Sequence, residues 1–321
     1  MKDETDEKMM PVPKLLQKGD DVAIVATARK VSRAEIEPAI RLYETWGLNV
    51  LLPENIYAES DQFAGSDSQR AADLQWALDN AEIKAVFCAR GGYGTVRIID
   101  QIDFSRFAGM PKWIVGYSDV TVLHSHIHAT LGIPTIHATM PLNIDDDAVA
   151  CRYPATESLR QLLFEGEANY RWTSGGVHNT DYRLQKTEVE GPIVGGNLSI
   201  LYSLCGSASD IDTSGKILLI EDLDEYLYHI DRMMQNLRRT GKLSQIKALV
   251  VGGMTEMHDN TVPFGKTAKE IIYDTVKDYG YPVCFDAPFG HLGNENRAIA
   301  LGQTISLQCN SDGSFAIQQT L

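Results

Sequence analysis

Three polar residues of the chain, Ser118, His291 and Glu221, are of the types that together perform nucleophilic acyl transfer. Ser118 lies in Trp113-Ile114-Val115-Gly116-Tyr117-Ser118-Asp119-Val120-Thr121, where an apolar strand runs into a Gly-x-Ser-Asp turn and then directly into a helix. Such a turn lifts the hydroxyl clear of its neighbours and aims the first backbone N–H groups of the helix at an oxygen that becomes negative beside it. It therefore offers a nucleophile together with part of an oxyanion hole. Val120 stands where the elbow Gly-x-Ser-x-Gly has its second glycine, so the partners of the serine decide its role.

A serine hydroxyl needs a base, and the base needs an acceptor that fixes its tautomer and stabilises its cation. His291, in Pro288-Phe289-Gly290-His291-Leu292-Gly293, and Glu221, after the apolar run 216–220, fit those roles. All three stand at strand ends, where open α/β sheets place active residues. Glu221 has a second reading, as an exposed carboxylate grouped with Asp222, Asp224 and Glu225 at the positive end of a helix over 226–239.

Short β-rich runs alternate with amphipathic helices from residue 21 to about 140, which predicts a parallel sheet with helices on its faces. Strands are expected at 22–26, 49–52, 85–89, 113–116 and 135–138, and helices at 68–78, 95–102 and 119–131. Ser32 and Glu35 form a capping-box signature ahead of a helix closed by Gly47. Residues 141–190 read as mixed polar sequence with a short helix at 158–164 and a Gly175-Gly176 turn, and Trp172 lies among them. Further strands (216–220, 248–251, 283–285) and helices (226–239, 266–279) follow, and the chain closes with strands at 298–301, 305–308 and 315–318. The fold class is thus α/β in two domains. An amino-terminal domain, 14–145, is a mostly parallel sheet flanked by helices and carries the nucleophile. A linker, 146–190, leads to a carboxy-terminal β/α domain, 191–321, with a β-rich end, carrying Glu221 and His291.

The chain of 321 residues holds 29 Lys and Arg against 43 Asp and Glu, a net charge of −14, without a basic block. That balance argues against a nucleic-acid partner. Cys88, Cys151, Cys205, Cys284 and Cys309 are widely spaced and read as reduced thiols of a cytoplasmic protein. Residues 1–13 are charged and lack the apolar core of a signal peptide, and no apolar run reaches membrane-spanning length. No cofactor or metal is expected. His124, His126 and His128 point in different directions on the expected helix, without the glutamate of a zincin. Gly91-Gly92-Tyr93-Gly94 matches neither common phosphate-binding pattern, and Cys88 sits inside a strand rather than on a turn. Ile230, Met233, Met234 and Leu237 form a helical stripe expected to be core.

Five ordered blocks resemble the LD-carboxypeptidase family of serine peptidases, which also holds the microcin C self-immunity peptidases. They are Arg90-Gly91-Gly92-Tyr93-Gly94; Gly116-Tyr117-Ser118-Asp119; Gly195-Gly196-Asn197-Leu198; Ile220-Glu221-Asp222 with Tyr228-x-Ile230-Asp231-Arg232-Met233; and Gly290-His291-x-Gly293-x-x-x-Arg297-x-x-x-x-Gly302. The resemblance implies a triad of Ser118, Glu221 and His291 split between domains. Its oxyanion hole would be made by the N–H of Asp119 and one from Gly91 or Gly92. The implied substrate is the cytoplasmic murein tetrapeptide, cut before its terminal D-Ala, and the implied assembly is a homodimer. Arg90, Arg232 and Arg297, the arginines inside the blocks, are candidates to receive the substrate carboxylate, and each could instead serve in a structural ion pair. Two other readings stay open. One is a microcin-immunity-type peptidase cleaving aminoacyl or peptidyl nucleotide amides, for which Trp172 would stack the base. The other is a peptide-binding module without catalysis.

Overall fold

A computed structural model describes residues 11–174, 187–310 and 312–321. The first sheet collects β1 (Asp21–Val25), β2 (Asn49–Leu51), β3 (Ile83–Cys88), β4 (Trp113–Gly116) and β5 (Thr135–His137), all running parallel. Between them lie α1 (Arg33–Thr45), α2 (Asp67–Asp79), α3 (Ser105–Gly109) and α4 (Thr121–Leu131). The expected Ser32–Glu35 capping box opens α1, and Ser66 and Gln69 form another at α2.

Helices α5 (Asp146–Cys151) and α6 (Pro154–Glu165) lead to β6 (Glu167–Thr173) and then to β7 (Thr187–Asn197) and α7 (Leu198–Leu204). The second sheet continues through β8 (Ile217–Leu223), α8 (Leu227–Arg239), β9 (Ala248–Thr255), α9 (Ala268–Val276) and β10 (Val283–Cys284). Three strands follow, β11 (Ile299–Leu301), β12 (Thr304–Cys309) and β13 (Ser314–Thr320). Strand order is β11-β5-β4-β3-β1-β2 in one sheet and β10-β9-β8-β7-β12-β13-β6 in the other.

Three details depart from expectation. The segment expected to be a linker carries two helices, β6 and the start of β7, and it is held in place because β6 hydrogen-bonds to β13 along its length and buries Ala168 and Tyr170 in the first core. The Gly175-Gly176 turn lies outside the described residues. The helix expected at 95–102 is instead two 3-10 turns, Thr95–Arg97 and Ile99–Gln101, broken at Ile98, whose φ of −113° leaves helical geometry although Thr95, Ile98 and Ile99 are buried at helical spacing. Strand β11, from the carboxy-terminal part, pairs antiparallel with β5 and closes the edge of the first sheet.

Alternation along the strands sets the layers. Val22, Ile24 and Ala26 face one core, shared with Ile217, Leu219 and Val250 of the second sheet, while Ala23 and Val25 face another under α2 and α4. Leu218 and Ile220 turn to a third core, where the expected stripe Ile230, Met233, Met234 and Leu237 of α8 is fully buried. Each such side chain contributes about 1.5–3 kcal/mol by leaving water. Cys88, Cys284 and Cys309 are buried free thiols and Cys205 is partly so. Among the described residues no helix is long and apolar enough to cross a membrane.

Candidate active site

Strand β4 delivers Ser118 one residue after Tyr117, at the start of a 3-10 turn, Ser118–Val120, that leads into α4. The serine adopts a left-handed backbone with φ of 62°, a conformation rare and strained for a residue with a Cβ. Val120 fills the space that the elbow's second glycine would leave open, its methyl groups packed against Gly116. Gly91, after β3, approaches so closely that a Cβ there would lie 3.0 Å from Ser118 Oγ and 3.3 Å from the Asp119 nitrogen. A side chain at that point would crowd Ser118 itself. Gly92 takes a φ of 106° and packs under the side chain of Arg29.

Glu221 lies inside β8, not beyond its end, and is 0% exposed, which removes its reading as a solvated carboxylate at a helix start. Its Oε2 is 2.6 Å from Nδ1 of His291. Gly290 makes this approach possible, because a Cβ there would come within 2.5 Å of the same carboxylate oxygen. Burial lowers the pKa of His291, but the hydrogen bond and charge of Glu221, with Asp222 and Glu256, outweigh it and hold the imidazole above its ordinary 6.5. The His291 ring lies 4.8 Å from that of Tyr117, so the histidine packs against the residue preceding the serine.

One further contact ties the halves together, and a second anchors it within the carboxy-terminal half. Thr121, three residues after the serine, accepts a hydrogen bond of 3.0 Å from the backbone of Asn197, and the Asn197 amide donates to Asp222 at 2.9 Å. Burial, with Glu221 alongside, pushes the Asp222 carboxyl up to about 7, and the Asn197 and Leu223 donors partly offset it. Sequence reasoning missed this bridge, although Gly195-Gly196-Asn197 marked its location. It also missed Arg29, whose only signal was its position just after the first strand.

The three expected arginines are placed differently. Arg90 donates to the Lys30 carbonyl at 3.1 Å, Arg297 pairs with Glu295 at 3.1 Å, and Arg232 rests on the ring of Tyr228. Trp172 is held in β6, its indole N–H donating to the Phe285 carbonyl at 2.9 Å and its ring packed on Phe315. The histidines of α4 diverge, with His124 on the Gly116 carbonyl and His126 on Ser209. Among the described residues no group of three or more His, Cys, Asp or Glu gathers as metal ligands.

Residues 22–138 match the LD-carboxypeptidase N-terminal domain and residues 190–307 the LD-carboxypeptidase C-terminal domain. The chain is 37% identical to a probable murein peptide carboxypeptidase of Bacillus subtilis over 286 residues, 87% of this chain and 86% of that protein. A muramoyltetrapeptide carboxypeptidase from Oxalobacter formigenes superposes with a TM-score of 0.81 at 26% identity, covering 94% of this chain and 99% of the other. The microcin C7 self immunity protein MccF, in complex with aspartyl sulfamoyl adenosine, shares the fold with a TM-score of 0.79 at 18% identity, over 96% and 97% of the two chains. On these matches the chain belongs to the LD-carboxypeptidase family of serine peptidases.

Proposed function

We propose that this LD-carboxypeptidase hydrolyses the L,D-peptide bond that releases the terminal D-Ala of murein tetrapeptide, with Ser118 as nucleophile, His291 as base and Glu221 as acceptor. The observation that carries the reading is the 2.6 Å contact between His291 Nδ1 and the fully buried Glu221. With Nδ1 engaged, Nε2 is the ring atom left to take the Ser118 proton as Oγ attacks the peptide carbonyl. The same nitrogen returns that proton to the departing D-Ala amine. Water then enters by the reverse roles and frees Ser118. Glu221 stabilises the imidazolium formed at each attack.

The tetrahedral oxygen would be met by the N–H of Asp119 and an N–H of the Gly91–Gly92 turn, each donor contributing about 3–4 kcal/mol to the barrier reduction. The free carboxylate of the substrate falls to the arginines at that turn. Arg29 packs on Gly92 and Arg90 precedes Gly91, whereas Arg297 already has a carboxylate partner. Arg232 is exposed on α8 and completes the set of cations within the family blocks. In a chain of net charge −14, such local cations must offset a long-range field that repels an anionic ligand.

The nucleotide-amide reading would assign base stacking to Trp172, but its indole is committed to Phe285 and Phe315, which favours the murein peptide. The family resemblance further implies a cytoplasmic homodimer. D-alanine release from purified murein tetrapeptide by the wild type and by Ser118→Ala tests the proposal, with an aminoacyl sulfamoyl adenylate as competing substrate. Release by the wild type alone is expected. Turnover of the nucleotide conjugate alone would move the protein to the other branch, and no turnover of either would leave the binding module.

A further inference from the structure

Two buried ionic side chains outside the proposed triad end on the turn that carries Gly91 and Gly92. Arg70, on α2, is 1% exposed, and its Nη1 donates to the Gly94 carbonyl at 2.9 Å and to the Thr27 carbonyl at 2.7 Å. Asp119, also 1% exposed, accepts the Thr95 N–H on Oδ2 at 2.9 Å. The Gly94 carbonyl and the Thr95 N–H belong to one peptide group. In a trans peptide these two atoms point to opposite sides, so the guanidinium and the carboxylate grip a single peptide plane from both of its polar ends.

The grip is needed where it falls. Gly94 has a φ of 147°, a region that glycine alone visits readily and leaves as readily. Around it, Thr27 and Thr95 join hydroxyls at 3.0 Å, and Asp67 pairs with Arg70 while also holding Arg97 at 2.8 Å. Phe63 lies beneath Arg70, 5.0 Å from ring centroid to guanidinium carbon. Burying a cation and an anion is costly compared with an apolar pair of the same volume. An apolar pair, however, could not orient a peptide. Asp119 thereby ties the turn to the neighbouring Ser118, its backbone beside Gly91 and its side chain on Thr95.

We infer that Arg70 and the Asp119 carboxylate are positioning residues that fix the oxyanion turn by holding the Gly94–Thr95 peptide. The inference rests on the oxyanion hole proposed for this site. Arg70→Met, Arg70→Lys and Asp119→Leu, which removes the acceptor of the Thr95 N–H, read it from both ends. In folded Arg70→Met, kcat for D-Ala release should fall about 10²-fold with KM unchanged, the scale expected when catalytic groups are misplaced by about 1 Å. Arg70→Lys, which keeps a donor to one carbonyl, should fall between Met and wild type. Inhibition by a peptidyl boronate, whose tetrahedral adduct places an oxygen in the hole, should weaken by the same factor as kcat.

Amide exchange within 91–95 should accelerate in Arg70→Met and in Asp119→Leu. A folded Arg70→Met with wild-type kcat overturns the inference, as does a fall in kcat with boronate affinity and exchange unchanged. If neither Arg70 variant folds, Asp119→Leu decides by the same readouts. If the wild type itself turns over no murein peptide, the functional reading has failed, and the exchange rates still decide whether the two ions hold the turn.

Discussion

The two halves of the site are built by different physics. Around Ser118 the backbone does the positioning: a left-handed serine, a glycine pressed against its hydroxyl, and a helix start that presents N–H groups. Around His291 charge does it: a carboxylate with no exposure meets one ring nitrogen and holds the imidazole pKa up. The first arrangement is sensitive to shape and hardly to pH, whereas the second is sensitive to pH as well as to shape, since a Cβ at Gly290 would meet the Glu221 carboxylate. Variants on each side should therefore fail in distinguishable ways.

Ser118→Ala should cause the largest effect, a loss of about 10⁴-fold or more in kcat, measured by D-Ala release, because the acyl-enzyme route disappears. Glu221→Gln should come next, with a loss approaching about 10⁴-fold if the wrong imidazole tautomer is held. Its pH profile separates it from a shape defect. His291 must be neutral to accept a proton, so the acid limb of kcat/KM in the wild type should lie above the ordinary 6.5. Removing the Glu221 charge removes a raising influence, so the residual activity should show that limb at lower pH.

Gly91→Ala tests the other half. Its Cβ would stand 3.0 Å from Ser118 Oγ, so kcat should fall about 10²-fold with the pH limb unmoved. Arg29→Gln should be the mildest, raising KM about tenfold with kcat little changed, the loss of one charge-assisted contact to the carboxylate. A tetrapeptide amide should lose its discrimination between wild type and that variant. If Arg29→Gln lowered kcat and left KM alone, the assignment of Arg29 to the carboxylate would fail.

The same contrast explains what could be read from the chain before its structure. Most of the half around Ser118 is local in sequence: strand, Gly116, serine and helix lie within Trp113–Leu131, each with a propensity that speaks for itself, while Gly91 comes from the turn after β3. The acid–base half is not. Glu221 carried two readings because nothing local distinguishes a carboxylate buried in β8 from one exposed after it. The contact that decides comes from a residue 70 positions away. Arg70 lay on a helix face with no sign that it reaches a glycine 24 residues on. Likewise, β11 has every residue buried, and burial alone does not say which sheet will take it. Strands β6 and β7 were hidden by charged residues on their exposed faces and by glycine and proline in β7, which blur the period-2 pattern.

The most direct measurement is to react the protein with a fluorophosphonate, digest it and locate the adduct by mass spectrometry, in the wild type and in His291→Ala. A single adduct on Ser118 is expected, formed about 10³-fold or more slowly without the histidine. An adduct on another residue, or a rate indifferent to His291, would contradict this expectation.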